Sequence, residues 1–226
     1  MGMKSLMTGS GKKYRLGSLK FSEVELQGLF KAWVALSLAF AILIGGNIFS
    51  AEFLYNFILS ALTVGVGFIL HELGHKFMAQ RYGCFAEFRS FDTMLVLAIA
   101  MAFLGFIFAA PGAVMIGGNI GRVRNGRISL AGPLMSLVIA AVFVIALYVQ
   151  VFDFSEVNAI LETAKGIYQL QWTYLVCFIG AKINTFIALF NLLPVAVLDG
   201  KKIYRWNKKI YFTFLGIAIF MMFLVF

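Results

Sequence analysis

The residues HELGH, at positions 71–75, have the types and the spacing of a zinc site with a neighbouring base. On a helix, residues four apart lie on one face, so His71 and His75 can both reach one ion. Zinc accepts imidazole nitrogens in tetrahedral geometry, and a catalytic zinc keeps one position open. Glu72 follows the first histidine and can act as a general base on water at the metal. The pattern therefore predicts hydrolytic zinc chemistry.

The composition of the chain places this site in a membrane. Of the 226 residues, 62% are hydrophobic and 13% are charged, against about 45–50% and about 25% in soluble domains. A soluble core cannot bury so much apolar surface, so we expect an integral membrane protein. The net charge of +9 is better explained by basic cytoplasmic loops than by nucleic-acid binding. Cys84 and Cys177 are too few for a disulfide framework.

Hydropathy predicts an all-α polytopic membrane protein with about six transmembrane or re-entrant segments. Residues 1–28 form a basic segment without the apolar core of a signal peptide, and residues 29–226 form the membrane domain. The apolar runs predict spans over roughly 29–49, 54–82, 128–150, 172–194 and 210–226, with a further apolar run over roughly 94–110.

The basic residues set the expected topology. If the N-terminus is cytoplasmic, a full crossing by 94–110 would place the basic clusters of 122–127 and 201–209 outside, against the positive-inside rule. A re-entrant segment over 94–119 brings every basic cluster inside, together with the active-site end. Non-helical backbone at membrane depth must lie against protein or water. This topology therefore also predicts a wet cavity near the cytoplasmic side.

The predicted zinc site needs a third protein ligand, and the chain has no third histidine. A carboxylate or thiolate must supply it, and the candidates are Asp199, Asp92, Glu87, Glu52, Asp153 and Cys84. Asp199 is favoured because it follows a later span at the same cytoplasmic end. Pro194 breaks that helix and Gly200 permits a tight turn, which can aim the carboxylate into the cavity. Asp92 is the second candidate.

Two distant motifs resemble the site-2 protease family of intramembrane zinc metalloproteases, peptidase family M50. HELGH lies on a membrane helix, and NLLPVAVLDG, at 191–200, ends a later one; AGPL at 131–134 and PGAV at 111–114 fit the family as well. The resemblance covers about 54–205, the expected catalytic core. Val197 departs from the family, because many members carry a second proline there.

The resemblance implies a zinc metalloendopeptidase that cleaves within or near a transmembrane segment of another membrane protein. One Zn²⁺ per chain would be held by His71, His75 and Asp199, with Glu72 as the general base. Asn191 matches the asparagine of the family motif. It would contact the oxyanion or the substrate, and the alternative is an amide that packs between helices. The implied partners are a transmembrane-helix substrate and the lipid bilayer.

The strand-like residues AVMIGG, at 113–118, predict a small β-hairpin at membrane level. A helical substrate must be locally extended before its carbonyl can be attacked, and Val114 and Ile116 would pair with it by β-augmentation. The alternative is a hairpin that only seals the cavity. Lys182, within a predicted span, is expected to line the cavity, to pair with an acid or to snorkel outward.

Two other functions fit parts of the sequence. A metal-ion transporter would need several acids along one route, whereas the ten acids of this chain lie mostly in loops. A non-catalytic relative that binds membrane segments would usually have lost Glu72 or a ligand, and none is missing here. The sequence therefore favours an active protease.

Overall fold

The computed structural model describes residues 12–45, 48–107, 111–118, 120–152, 164–195 and 198–225. Within these ranges five helices are long and apolar enough to cross a membrane: Glu23–Ile44, Ala51–Arg81, Arg122–Val149, Trp172–Asn191 and Lys208–Val225. Large apolar side chains remain exposed along them, as expected for helices that face lipid. The predicted all-α polytopic architecture is confirmed.

The N-terminal segment contains structure that the sequence did not predict. Strands β1 (Lys13–Leu16) and β2 (Leu19–Ser22) form an antiparallel hairpin that leads directly into helix α1 (Glu23–Ile44). The hydroxyl of Ser22 accepts a hydrogen bond from the Glu25 N–H and caps this helix. The helix therefore begins before the predicted span at 29, because the cap, rather than the first long apolar run, sets its start.

The second span is a continuous helical rod with a π-helical turn in its middle. Helix α2 (Ala51–Ser60) runs through the turn Ala61–Gly65 into helix α3 (Val66–Arg81), which carries HELGH. A π turn displaces carbonyls from the regular helix pattern. Indole Nε1 of Trp33 donates to the Ala61 carbonyl and the amide of Asn184 donates to the Thr63 carbonyl, so both groups are satisfied.

After α3 the chain forms a strand, a short helix and a second strand that pairs with the first. Strands β3 (Phe85–Ser90) and β4 (Gly112–Gly117) pair antiparallel, and helix α4 (Asp92–Ala102) lies between them. Helix α4 has 11 residues, about 16 Å, too short to cross the hydrocarbon core of about 30 Å. The structure therefore agrees with a re-entrant segment. Strand β3, which follows α3 in the chain, is the partner of the predicted strand.

The C-terminal half forms a helical layer on the other side of α3. Helix α5 (Arg122–Phe152) packs against α3, against helix α6 (Ala164–Asn191) and against the short helix α7 (Asp199–Trp206); helix α8 (Lys208–Val225) completes the layer. The basic cluster at 122–127 lies in the first turns of α5, and the cluster at 201–209 lies in α7 and the start of α8, so both are largely helical rather than loops. The candidate site lies where α3, α5 and α7 meet.

Candidate metal centre

Helix α3 presents two imidazoles and a carboxylate at one place. The Nε2 atoms of His71 and His75 are 3.1 Å apart, as the i, i+4 spacing on a helix requires. With Glu72 they form a group whose possible ligand atoms all lie within 4.8 Å of one another. All three residues are buried, with 2–8% of their surface exposed. The predicted wet cavity beside them stays a prediction.

Helix α5 contacts the Nδ1 atom of each histidine, on the side of the ring away from the shared Nε2 atoms. Nδ1 of His75 lies 2.8 Å from the Ile128 carbonyl, and Nδ1 of His71 lies 2.9 Å from Oγ of Ser136. A carbonyl only accepts, so Nδ1 of His75 carries a proton, which leaves Nε2 as the nitrogen that can bind a metal ion. Such outer partners fix the orientation of metal-binding imidazoles. No local pattern in the sequence marks Ile128 or Ser136 as such partners.

Gly132, in the AGPL motif, leaves the space that these imidazoles face. It lies between Ile128 and Ser136 on the same side of α5, since the three residues are four apart. A Cβ atom at Gly132 would overlap Nε2 of His75 and lie 2.6 Å from Nε2 of His71. Because Gly132 has no side chain, the space beside both Nε2 atoms stays open. An ion bound by the two nitrogens would need this space.

Asp199 completes the group from a different helix. Its Oδ2 lies 3.0 Å from Nε2 of His75 and 3.8 Å from Nε2 of His71. Its other oxygen, Oδ1, lies 3.2 Å from the Lys202 ammonium, one turn along α7. One oxygen of the carboxylate thus faces the histidines while the other is held by a cation, which fixes its orientation.

Gly200 allows α7 to begin close to the end of α6. A Cβ atom there would overlap the Leu192 carbonyl oxygen and lie 2.6 Å from that of Leu193. Gly200 is therefore not in the predicted tight turn. It is the second residue of α7, and its backbone lies in close contact with the end of α6. This contact brings Asp199 back to the histidines after the chain has passed Pro194. Val197 lies outside the described residues.

The surroundings of Asp199, which is outside the five long helices, keep it ionised. Burial by itself would raise the pKa of its carboxyl. The charge of His75 opposes this effect most strongly, and contacts with both histidines and the charge of Lys202 add to it. Together they hold the pKa well below its usual range. The carboxylate is therefore in the form that a metal ligand requires.

The other candidates for a third ligand have different partners. Asp92 accepts from the exposed ammonium of Lys31 at 2.8 Å, and Glu87 is paired with Arg89. Glu52 lies in the first turn of α2, and Sγ of Cys84 is 3.9 Å from the Tyr82 carbonyl. Asp153 lies outside the described residues. Of the described candidates, Asp199 is the one whose carboxylate contacts both histidines.

Asn191 and Lys182 both make contacts within α6, the helix that carries them. The amide of Asn191 donates to the Ile187 carbonyl at 2.9 Å, one turn earlier on the same helix. One donor of this amide is thus used within the helix, and the predicted oxyanion contact of Asn191 stays a prediction. Nζ of Lys182 lies 5.4 Å from the centre of the Phe178 ring, a cation–π distance.

Strand β4 turns one edge of its backbone toward Glu72. Opposite residues of an antiparallel pair alternate between exchanging hydrogen bonds and pointing their backbone groups away from each other. The Phe88 N–H and the Ala86 carbonyl both bond to side chains on the far side of β3. Their partners across the sheet, Val114 and Ile116, therefore point their backbone groups away from β3. The Val114 amide accordingly faces the Glu72 carboxylate and interacts with it electrostatically.

Comparison with known proteins agrees with this geometry. The model of the family described as peptidase family M50 matches residues 59–211, which include all of the site described above. The chain is 36% identical over 173 residues to "Putative zinc metalloprotease MJ0611" of Methanocaldococcus jannaschii, covering 74% of this chain and 82% of that protein.

A second relative of the same organism is longer than this chain. The chain is 29% identical over 164 residues to "Zinc metalloprotease MJ0392", covering 73% of this chain and 38% of that protein. No solved structure shows a significant match. With the family model covering most of the sequence and including the histidine pair and Asp199, the chain belongs to peptidase family M50, the site-2 protease family, and is a metalloprotease.

Proposed function

We propose that this protein is an intramembrane zinc endopeptidase that cleaves a peptide bond within or near a transmembrane segment of another membrane protein. The observation that carries the proposal is the convergence of two imidazoles and two carboxylates among helices that are long enough to cross a membrane. His71, His75 and Asp199 would bind one Zn²⁺ per chain. A purely structural zinc site would be closed by a fourth protein ligand, whereas here Glu72 is free to act as a base.

The donor atoms suit zinc. Two neutral imidazole nitrogens and one carboxylate oxygen form a ligand set of catalytic zinc sites, and Gly132 leaves room for the ion. When bound, zinc acts as a Lewis acid that activates water near neutral pH and polarises the scissile carbonyl. Ionisable side chains in a membrane segment are costly, so their presence supports a functional role.

Glu72 would move the protons of the reaction. Its carboxylate lies beside the histidines and can take a proton from the attacking water, then pass it to the leaving amine. The Val114 amide, which faces Glu72, would hold that carboxylate in place. Burial of the histidines and Glu72 limits their contact with bulk water and so strengthens the electrostatic interactions within the site.

Strand β4 would bind the substrate as an extended chain. The outward backbone groups of Val114 and Ile116 lie on the edge of β4 opposite β3, the side on which Glu72 lies. An extended peptide can add to such an edge through main-chain hydrogen bonds. This placement would bring the peptide bond of the added chain near Glu72 and the histidines.

The proposed orientation places the N-terminus and the active-site end in the cytoplasm. Lys76 and Arg81 follow the histidines on α3, and the basic residues of α7 follow Asp199 on the same side of the site. Basic residues near span ends are retained in the cytoplasm. The enzyme would therefore cut its substrate close to the cytoplasmic surface of the cell membrane.

The test of this function is cleavage by the purified protein in lipid vesicles. A single-span substrate should be cut, a chelator that removes zinc should lower the rate at least about 100-fold, and added Zn²⁺ should restore it. The comparison substrate is the same peptide sequence in a soluble, unfolded carrier. If the soluble carrier is cut as well as the spanning one, or if the chelator has no effect, the proposal is wrong.

Proline at position 116 should block substrate pairing without removing the metal. Ile116→Pro deletes an N–H that points away from β3, so the β3–β4 pairing is kept. We expect cleavage to fall at least about tenfold at unchanged zinc content, measured by product formation and metal analysis. The matched control is Ile116→Ala, which loses the side chain and keeps the N–H.

Val114→Pro should have a larger effect, because the Val114 amide faces both the substrate edge and Glu72. Its control is Val114→Ala. Wild-type cleavage by both proline variants would show that β4 only seals the site.

A further inference from the structure

A buried ion pair joins α1 to the catalytic helix. Nζ of Lys76 lies 2.7 Å from Oε2 of Glu25, and each side chain is only 1% exposed. Lys76 directly follows His75 in the sequence. Burying both charges carries a desolvation cost that their attraction repays only with good geometry and further hydrogen bonds. The ion pair by itself therefore contributes little net stability, and its presence is better explained by another role.

The further hydrogen bonds of this pair go to strand β3. Nζ of Lys76 also donates to the Ala86 carbonyl at 2.8 Å, and the second oxygen of Glu25 accepts from the Phe88 N–H at 3.0 Å. The ring of Phe21, on β2, lies 4.8 Å from the same ammonium. The two charged side chains thus occupy the outer edge of β3, where another strand would otherwise bond.

These two strand residues stand opposite the two residues proposed to receive the substrate. Ala86 pairs with Ile116, and Phe88 pairs with Val114. The same alternation that turns the Ala86 and Phe88 groups toward the ion pair turns those of Ile116 and Val114 toward the site. A shift of β3 by one residue would exchange the two sets of groups. Holding Ala86 and Phe88 therefore fixes which groups of β4 face Glu72.

We propose that Glu25 and Lys76 are positioning residues, which anchor β3 so that β4 meets the substrate and Glu72 in the correct register. This inference rests on the proposed function, because it assigns β4 to the substrate. The pair also closes the outer edge of β3 to strand addition, so an extended substrate adds along β4. Neither residue touches the reacting atoms, and the expected effect is on substrate binding more than on the chemical step.

The test compares Glu25→Leu, Lys76→Met and the double variant in the zinc-loaded full-length protein. Each single variant leaves a buried charge without its partner and should lower the thermal midpoint. The double variant removes both charges and should recover part of that midpoint, because the Ala86 carbonyl and the Phe88 N–H still lose their partners. It should nevertheless raise KM for the spanning substrate about tenfold, with kcat nearly unchanged. Hydrogen exchange at 85–90 and 112–117 should become faster in it, because β3 has lost its two anchors.

The exposed ion pair between Lys31 and Asp92 provides the matched control. It also links α1 to the re-entrant segment, but both side chains are more than half exposed, so Lys31→Met should leave KM and hydrogen exchange unchanged. If the double variant shows wild-type KM and wild-type exchange, the ion pair has no positioning role. A wild-type protein that cleaves nothing would contradict the proposed function, and the exchange data would still decide whether the pair anchors β3.

Glu25→Gln keeps the test decisive if the double variant does not fold. Glutamine offers one acceptor oxygen where Glu25 serves two donors, so one anchor is lost while the shape is kept. KM should rise at least about threefold and exchange at 85–90 should become faster. An unchanged KM together with unchanged exchange would overturn the positioning role.

Discussion

Glu72→Gln is expected to abolish cleavage while the protein keeps its zinc. The substitution preserves the size of the side chain and its ability to accept from the Val114 amide, but glutamine cannot take a proton from water. Loss of a general base costs about 100- to 10,000-fold in rate. Product formation from a membrane-spanning substrate, together with metal analysis of the same preparation, measures both parts of the prediction.

Glu52→Gln provides the control for this experiment. Glu52 lies in the first turn of α2, far along the helical rod from His71, and its variant should cleave at the wild-type rate. A Glu72→Gln protein that still binds substrate could also be used to capture it, since the complex cannot proceed. Cleavage at the wild-type rate by Glu72→Gln would exclude Glu72 as the base and with it the proposed mechanism.

Asp199→Ala is expected to remove both zinc and activity. The substitution deletes the carboxylate that contacts both imidazoles, and it leaves Lys202 without its partner. Changes in outer partners of a metal site cost about 10- to 100-fold in affinity, so loss of a ligand should exceed about 100-fold. Zinc titration against a competing chelator measures the affinity, and cleavage at saturating zinc measures the remaining activity.

Asp92→Ala separates Asp199, the favoured third ligand, from Asp92, the second candidate. Hydrogen bonds from Lys31 and Ser90 hold the pKa of the Asp92 carboxyl below its usual value, but the side chain is exposed and paired away from the histidines. Its variant should therefore keep wild-type zinc affinity. Loss of zinc from Asp92→Ala, with retention in Asp199→Ala, would reverse the assignment of the third ligand.

Several features could be predicted because they depend on residues close together in the sequence. The i, i+4 spacing of His71 and His75 is fixed by helical geometry, and their Nε2 atoms lie 3.1 Å apart. The spans follow from runs of apolar residues, since lipid requires helices with satisfied backbone groups. The re-entrant segment followed from the basic residues on either side of it, and the short α4 agrees with it.

Other features depend on contacts between residues far apart, and only the tertiary structure decided them. Neither the pairing of β3 with β4 nor the ion pair between Glu25 and Lys76 has a local signal, because each joins separate elements. Gly200 suggested a turn from its residue type, whereas the close approach of α7 to α6 explains it.

The same division applies to the site itself. The sequence by itself determined that His71, Glu72 and His75 lie together, because the types and spacing of HELGH are a local property of one helix. The tertiary structure decided which aspartate contacts the histidines and how Ile128, Gly132 and Ser136 hold and clear the space around them. The physical reason is that packing between helices sets these distances, and packing depends on the shapes of many side chains distant in sequence.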